Sequence, residues 1–312
     1  MQLLIPFAST LAEACQHTIR DLQLPALTRL LARLAPTDRL GSDESSLTPP
    51  HELAVATTLG WRGDDGCLPW AARLAVQDGV ADVGDQPWGL LTPVHLAVSA
   101  EGVVLVDPEA LILGAAESHA LFETVRHLFE SEGWRVALGA PLRWYASHES
   151  LRDLPCAALD RVIGRQVDDW MRPGPRMARL RRLQSEAQML LYQAAANDER
   201  EARGALAVNS FWLSGCGVRQ PESPAPGPQV DERLRAAALA QDWAAWAEEW
   251  RALDAGPVAD LLRRLGQGEP VALTLCGERQ AQRFEPAPGG GLWTRLTRGL
   301  RAPDLAAILD PL

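Results

Sequence analysis

The stretch "RQPESPAPGPQ", residues 219–229, carries prolines at 221, 224, 226 and 228. Proline has no N–H to give to a helix interior or a central strand, and it drives the residue before it out of the helical region. Neither kind of element can therefore run through this segment, which reads as a Pro-rich linker or loop. It cuts the 312-residue chain into a body and a tail. The expected division is a main α/β domain over residues 1–218, a linker over 219–230, and a helical segment plus strand over 231–312 that completes the same domain.

Hydrophobic periodicity fills in the body. "QLLIP" (2–6) reads as a short buried strand, and "LQLPALTRLLARL" (22–34) as a helix with Pro25 in its first turn. "GSDESSLTPPHE" (41–52) is a polar turn cluster. "PVHLAVSAEGVVLVDP" (93–108) is two β-branched runs around a turn, a hairpin. A helix fits 116–131 and a strand fits "GWRVALG". Residues 177–192 form an amphipathic helix with Met177, Leu180, Leu183, Ala187 and Leu190 on one face and Arg179, Arg181 and Arg182 opposite. "VNSFWLSGCG" (208–217) reads as a strand that carries Trp212 into the core and bends at Gly215 and Gly217. In the tail, 231–265 is helical and "PVALTLCG" (270–277) is a buried strand. A Gly-rich turn at 289–291 and a short helix follow. Strands alternating with helices point to an α/β fold with a mixed sheet.

Composition removes several function classes. All 30 basic residues are arginine, so a Walker-type phosphate loop, a Schiff base and any lysine-activated nucleophile are excluded. A net charge of −10 argues against nucleic acid as the main partner. No apolar run reaches the length of a membrane span, and "MQLLIPFAST" lacks the basic region of a signal peptide. Five cysteines at 15, 67, 156, 216 and 276 never form a CxxC, which favours a reducing cytoplasm. The six histidines (17, 51, 95, 119, 127, 148) never pair at metal-ligand spacing. His95, in the hairpin, reads as a structural histidine.

From Asp160 onward the order "LDRVIGRQVDDW…LQSEAQMLLYQAAANDEREARGALAVNSFWLSGCG" resembles the middle of the archaeal-type cofactor-independent phosphoglycerate mutases. The matching positions are Asp160, Gly164, Ser185, Asn197, Arg200, Asn209, Trp212, Gly215 and Gly217. Upstream, "LLIP", "LPALTRLLARL", "LLTPVHLAVSAEGVVLVDPEALIL" and "PLRWYAS" follow in the family's order, with Arg143 as the match in the last. The similarity is patchy over 1–217 and faint beyond. Within the family the chain looks closest to a degenerate proteobacterial branch, the RpfE-type regulatory proteins.

The resemblance implies an alkaline-phosphatase-like mixed sheet flanked by helices, reduced relative to the active mutases. It also implies chemistry by two divalent metals (Mn, Mg or Zn) held by Asp and His, with a Ser or Thr as phosphoryl acceptor. The chain departs from that pattern. Its first strand ends in Phe7-Ala8 where the family has Asp-Gly, and its last ends in Cys276-Gly277-Glu278 where the family has Asp-His. Ser45 and Ser46 lie in the loop that resembles the nucleophile's.

The first expectation is thus a catalytically degenerate, regulatory or binding protein without a cofactor, whose partner is a protein or a small phosphorylated ligand. Candidate ligand contacts are Arg143, Asp160, Asn197, Arg200 and Asn209, which the resemblance implies, together with Arg203; with Arg200 it could present two guanidiniums whose forks match phosphate oxygens. The alternative is a metal-dependent phosphotransferase or mutase with a rearranged site, drawing on Asp43, Ser45 or Ser46, Asp107 and Asp160. A third reading, an interaction module using the arginine helix in a nucleic-acid pathway, ranks last.

Overall fold

The computed structural model describes residues 1–41, 43–100, 102–286 and 303–312. In chain order the strands are β1 (Gln2–Ile5), β2 (Leu34–Gly41), β3 (Pro87–Val94), β4 (Leu96–Ser99), β5 (Gly102–Leu105) and β6 (Arg135–Ala140). They continue with β7 (Arg143–Ser147), β8 (Ser210–Val218), β9 (Gln229–Val230), β10 (Ala272–Cys276) and β11 (Gln280–Pro286). The helices are α1 (Glu13–Asp21), α2 (Pro25–Leu31), α3 (Pro50–Leu59), α4 (Trp70–Gln77), α5 (Ala115–Ser131) and α6 (Leu159–Val162). After them come α7 (Pro175–Tyr192), α8 (Ala195–Ala202), α9 (Leu234–Leu239), α10 (Trp243–Leu253), α11 (Ala259–Gly266) and α12 (Leu305–Leu309). The Gly-rich turn expected at 289–291 lies outside the described residues.

The contacts divide the chain differently from the expected body and tail. Unit 1 comprises residues 1–45, 49–60 and 222–312, and unit 2 comprises 46–48 and 61–221. The reason lies in the strand pairing. β1 is parallel to β10 on one side and to β9 on the other, so the first strand finds its neighbours only in the tail.

Unit 1 is a mixed sheet in the order β2-β11-β10-β1-β9, with β11 antiparallel to both β10 and β2. Period-two alternation splits its side chains between two faces. Leu3, Ile5, Leu273 and Leu275 join a core with Ile19, Leu27, Trp246, Trp250 and Leu261 from α1, α2, α10 and α11. Leu4, Cys276 and Ala281 pack on the other side with Ala54 of α3. The start of α2 shows how sequence fixes this packing. Pro25 takes the first helical position, where its missing N–H costs nothing. The next two N–H groups, of Ala26 and Leu27, donate to the carboxylate of buried Asp254 at 3.1 and 2.7 Å. Asp254 opens a π-helical turn, Asp254–Val258, that contains Pro257.

Unit 2 is built on an antiparallel sheet, β6-β7-β3-β8, beside the β4–β5 hairpin. Trp88 and Tyr145 face α4 and its alanines Ala71, Ala72 and Ala75. On α5, Phe122 packs edge-on against Trp144 at 5.7 Å, and Phe129 against Phe211 at 5.5 Å. In α7, Met177, Leu180, Leu183 and Ala187 are buried as the period requires, but the next buried position is Leu191, while Leu190 is exposed. The arginines opposite are paired: Arg179 and Arg182 with Glu132, and Arg181 with Asp168.

The strand through "VNSFWLSGCG" does not end at its glycines. β8 runs on to Val218, and its register with β3 shifts between Trp88 and Leu90, a bulge that takes up Gly215 and Cys216. Gly215 has φ +62°, and a Cβ there would stand 2.9 Å from the Ala71 nitrogen and 3.0 Å from the Trp70 Cβ. The glycines admit the start of α4 against the sheet. Trp212 is buried, and its indole N–H donates to the Ala157 carbonyl at 2.9 Å.

Candidate functional site

In α/β sheets the carboxyl ends of parallel strands are where ligands usually sit. In unit 1 that edge follows Ile5 of β1 and Cys276 of β10. Phe7 turns the chain there with φ +55°, uncommon for a residue with a Cβ. Its carbonyl accepts from the Trp246 indole at 2.9 Å, and its ring lies 5.4 Å from the His51 ring. The Ala8 N–H donates to the Cys276 carbonyl at 2.8 Å, which closes the gap between the strand ends. Beyond Cys276, a Cβ on Gly277 would strike the Leu312 backbone at 2.5 Å, so only glycine lets that residue approach. The Arg279 and Gln280 N–H groups both donate to the Leu312 carbonyl, at 2.6 and 2.7 Å.

The ionisable groups gathered at this edge include Cys15, Glu278 and Asp310. Burial pushes the Cys15 thiol up, its hydrogen bonds with Thr10 oppose that, and the Asp310 and Glu278 charges push it up further. Cys276 is pushed up by burial alone. One Glu278 oxygen is taken by the Leu11 N–H at 3.0 Å. The buried Oδ1 of Asp310 has no hydrogen-bond partner among the described residues. A pair of divalent metals needs several carboxylates and imidazoles converging within bonding range. Among the described residues no group of three or more His, Cys, Asp or Glu side chains is placed to hold even one ion. Two carboxylates, one of them engaged, and a thiol held in its neutral form do not fit the two-metal centre that the resemblance implies. In the sequence Glu278 follows the last strand, whereas Cys15 is one of five scattered cysteines and Asp310 carries no motif, because both lie far from Glu278 along the chain.

The two serine candidates fall in different units. Ser45, in unit 1, is exposed, and both its N–H and its hydroxyl donate to Asp43 Oδ1, at 2.9 and 2.6 Å, an Asx turn. Ser46, in unit 2, accepts from the buried Arg161 guanidinium at 2.7 Å. Its short segment is pinned by Asp65, which accepts from the Leu47 and Thr48 N–H groups at 3.0 and 2.8 Å.

The remaining candidates all lie in unit 2. Arg143 forks onto Asp78 with two bonds of 2.8 Å, and Tyr145 donates to the same carboxylate at 2.6 Å. The Arg143 hydrogen bonds hold the Asp78 carboxyl below its ordinary range against the effect of burial. Burial, then Asp78, pushes the Tyr145 phenol up. Asp160 is half-buried in the first turn of α6, at the end of a helix that favours a carboxylate.

Asn197, Arg200 and Asn209 are brought together around one piece of backbone, residues 206–209, on the approach to β8. Residues 206–208 lie outside the strands, so side chains take up much of their backbone's polar capacity, and the Asn209 N–H donates to the Val94 carbonyl of β3 at 3.1 Å. Arg200 Nε donates to the Leu206 carbonyl at 2.8 Å. The His95 ring bonds the Ala207 carbonyl at 2.8 Å. Asn197 holds Val208 on both sides, donating to its carbonyl at 2.8 Å and accepting from its N–H at 2.9 Å. Asn209 pairs with both backbone groups of Leu96, at 2.7 and 2.9 Å.

Arg200 is fully buried, and burial pushes its guanidinium down from its ordinary value. It also donates to the Leu111 carbonyl at 2.5 Å and to Glu117 at 3.2 Å. Arg203 pairs with the other Glu117 oxygen. The two guanidiniums therefore meet a carboxylate from the chain itself. Asn197 and Arg200 are engaged largely with backbone, and Arg203 with the Glu117 carboxylate.

Among the described residues no helix is long and apolar enough to cross a membrane. No protein-family model matches the chain, and no curated protein does. Two solved structures align over nearly its whole length. The cofactor-independent phosphoglycerate mutase from Thermoplasma acidophilum DSM 1728 is 14% identical, covering 99% of this chain and 98% of its own, with a TM-score of 0.36. The PH0037 protein from Pyrococcus horikoshii is 14% identical, covering 99% and 96%, with a TM-score of 0.42.

Proposed function

We propose that this chain is a non-catalytic, phosphoglycerate-mutase-like protein that acts by binding, as a regulatory or partner-binding protein of the cytoplasm. The reading rests on the sequence resemblance to that family. One observation carries it: the carboxyl edge of the parallel strands offers Phe7, Ala8 and Gly277 where two-metal chemistry needs carboxylates and imidazoles. A hydroxyl without a metal or a base is a poor nucleophile. A phosphoryl acceptor would also need to face a positive centre: the Ser45 hydroxyl faces the Asp43 carboxylate instead, and of the two candidates it is Ser46, accepting from the Arg161 guanidinium, that meets this requirement.

The test is turnover of 3-phosphoglycerate and of p-nitrophenyl phosphate with manganese, magnesium or zinc present. The expected result is a rate at background for both. Turnover that disappears in Ser45→Ala or Ser46→Ala would overturn the proposal. The same geometry supports a second reading, since a hydroxyl donating to a carboxylate at 2.6 Å resembles a nucleophile beside its base. Under that reading Asp43→Asn would abolish a measurable activity. Anomalous scattering after a manganese soak adds an independent readout, because two ions bound to protein carboxylates would favour the phosphotransferase.

A further inference from the structure

Cys67, Cys156 and Cys216 fall in unit 2, and Cys15 and Cys276 in unit 1. The Sγ atoms of Cys156 and Cys216 lie 3.6 Å apart, in contact, although the two residues are 60 positions apart in the chain. Cys216 sits in the bulge of β8 and is fully buried. A Cβ on Gly89 of β3 would stand 3.2 Å from its sulfur, so the glycine leaves the thiol its room. Cys156 is 5% exposed and lies in the coil 154–158 that leads into α6. Backbone bonds place that coil. The Cys156 N–H donates to the Gly66 carbonyl and the Ala158 N–H to the Leu47 carbonyl, both at 3.0 Å. The Trp212 indole of β8 holds the Ala157 carbonyl between them.

A disulfide sets its sulfurs about 2.05 Å apart, so this pair must close by about 1.5 Å. Strand pairing fixes the backbone of Cys216, whereas Cys156 belongs to no helix or strand and has the smaller adjustment to make. Beside it is a cavity of about 10 Å³, lined by Cys156, Met171, Met177, Leu180 and Trp212 among others and by no charged side chain. That is about the least volume that admits a water-sized molecule, and hydrogen peroxide is little larger. The cavity thus leads such an oxidant to the Cys156 sulfur. Burial pushes the Cys216 thiol up, and its contact with Cys156 pushes it further. A thiolate is disfavoured there, which makes the thiol slow to react, while a disulfide carries no charge and suits the apolar surroundings.

We propose that Cys156 and Cys216 are a modification site, at which an oxidant of the peroxide class forms a reversible disulfide that ties the 154–158 coil to β8 and stabilises unit 2. The Cys156 sulfur attacks one peroxide oxygen and the O–O bond breaks. The departing hydroxide takes the Cys156 proton and leaves as water, and Cys156 becomes a sulfenic acid. The Cys216 sulfur then attacks the Cys156 sulfur. The S–S bond forms, the S–O bond breaks, and a second water leaves with the Cys216 proton. Two thiols lose two electrons and one peroxide is reduced to two waters. In a reducing compartment such a bond serves sensing rather than permanent bracing. The coil it fixes is also the one bonded to Leu47, next to Ser46. The site does not depend on whether the chain retains phosphoryl chemistry.

The test is mass-spectrometric peptide mapping of the folded full chain after millimolar hydrogen peroxide, with the remaining thiols alkylated in denaturant before digestion. The expected product is one cross-link, Cys156 to Cys216, lighter by two hydrogen atoms and lost on treatment with dithiothreitol, with Cys15, Cys67 and Cys276 alkylated. The link persists in Cys67→Ser and is absent from Cys156→Ala. Closing a loop of this length restricts the unfolded chain, so oxidation raises the melting temperature by about 5–15 °C in the unaltered protein and in Cys67→Ser, but not in Cys156→Ala. The unaltered protein and Cys67→Ser decide the matter even where Cys156→Ala folds poorly. The proposal is overturned by five unlinked thiols after oxidation, by a link through Cys67, by Cys156 stopping at the sulfinic acid, by oxidation confined to Met171 and Met177, or by a linked protein that melts no higher than the reduced one.

Discussion

Asn197 separates a structural role from a ligand-binding one. Its side chain holds the Val208 N–H and carbonyl, at 2.9 and 2.8 Å, in a region where Asn197 is 4% exposed and Val208 fully buried. Asn197→Ala leaves both Val208 groups without partners. The Leu191 carbonyl, which Asn197 also contacts, keeps the Ala194 N–H at 3.1 Å. Two orphaned groups at about 1–3 kcal/mol each, softened by water entering the space vacated, set the cost at about 3 kcal/mol. For a body the size of unit 2 that lowers the melting temperature by about 6–12 °C. Asn197→Asp is sharper still. It retains the acceptor for the Val208 N–H but turns a carboxylate oxygen toward two carbonyls. At neutral pH this variant should be less stable than Asn197→Ala. Burial and carbonyl repulsion raise its folded-state pKa. Its stability therefore returns as the pH falls below that raised value and is lost again as the pH rises through it. Differential scanning calorimetry of both variants from pH 4 to 8 reads all of this. A shift below about 2 °C for Asn197→Ala, or an Asn197→Asp protein that outlasts Asn197→Ala at pH 7, would refute the reasoning and return Asn197 to the list of ligand contacts.

Three further expectations follow from the same kind of accounting. The Asp78 carboxyl is held down by Arg143, so its contribution is present above the unfolded carboxylate pKa and is lost as the pH falls through the lower folded value; Asp78→Asn should flatten the acid limb of the stability curve below about pH 4 in urea titrations. Asp254→Ala strips the acceptor from the first free N–H groups of α2 and should cost about 2–3 kcal/mol, read as a lower denaturation midpoint with unchanged slope. Gly215→Ala combines a left-handed backbone, about 1–2 kcal/mol, with a Cβ 2.9 Å from backbone; tryptophan fluorescence in urea should report a loss of about 3 kcal/mol, and a neutral result would mean that β8 and α4 can part.

Local order was legible where the period was clean. The helix at 115–131 and the hairpin at 96–105 follow directly from the spacing of their apolar residues. In α7 the face was right for three turns and then took Leu191 over Leu190, since i+4 from Ala187 returns to the core where i+3 did not. β2 was not legible. "LAPTDRLG" has proline and charges and is mostly exposed; only pairing with β11 makes it a strand. The short helix at 195–202 looks like a charged turn in sequence because its buried residues are Asn197 and Arg200, not apolar ones. The same limit governed the site. A polar residue at a special position announces that it has a partner, but sequence does not say whether that partner is a ligand or backbone. Asn197 and Arg200 bond the backbone of residues 206–208, which carry no signal of their own, and Arg143 and Arg203 meet carboxylates.

The placement of β1 between β9 and β10 has a consequence for how the chain is born. At about 5–20 residues per second, a ribosome needs roughly 10–50 s to travel from the first strand to either of its neighbours. Residues 61–221 are contiguous and can close their own sheet during that interval, while "QLLI" waits unpaired. The nascent N-terminal segment is then a strand with two open edges, and in the cell it needs either a chaperone or speed. The Ser223 N–H, bonded to the Leu59 carbonyl at 2.8 Å, marks where the interrupted unit is rejoined once the remainder arrives.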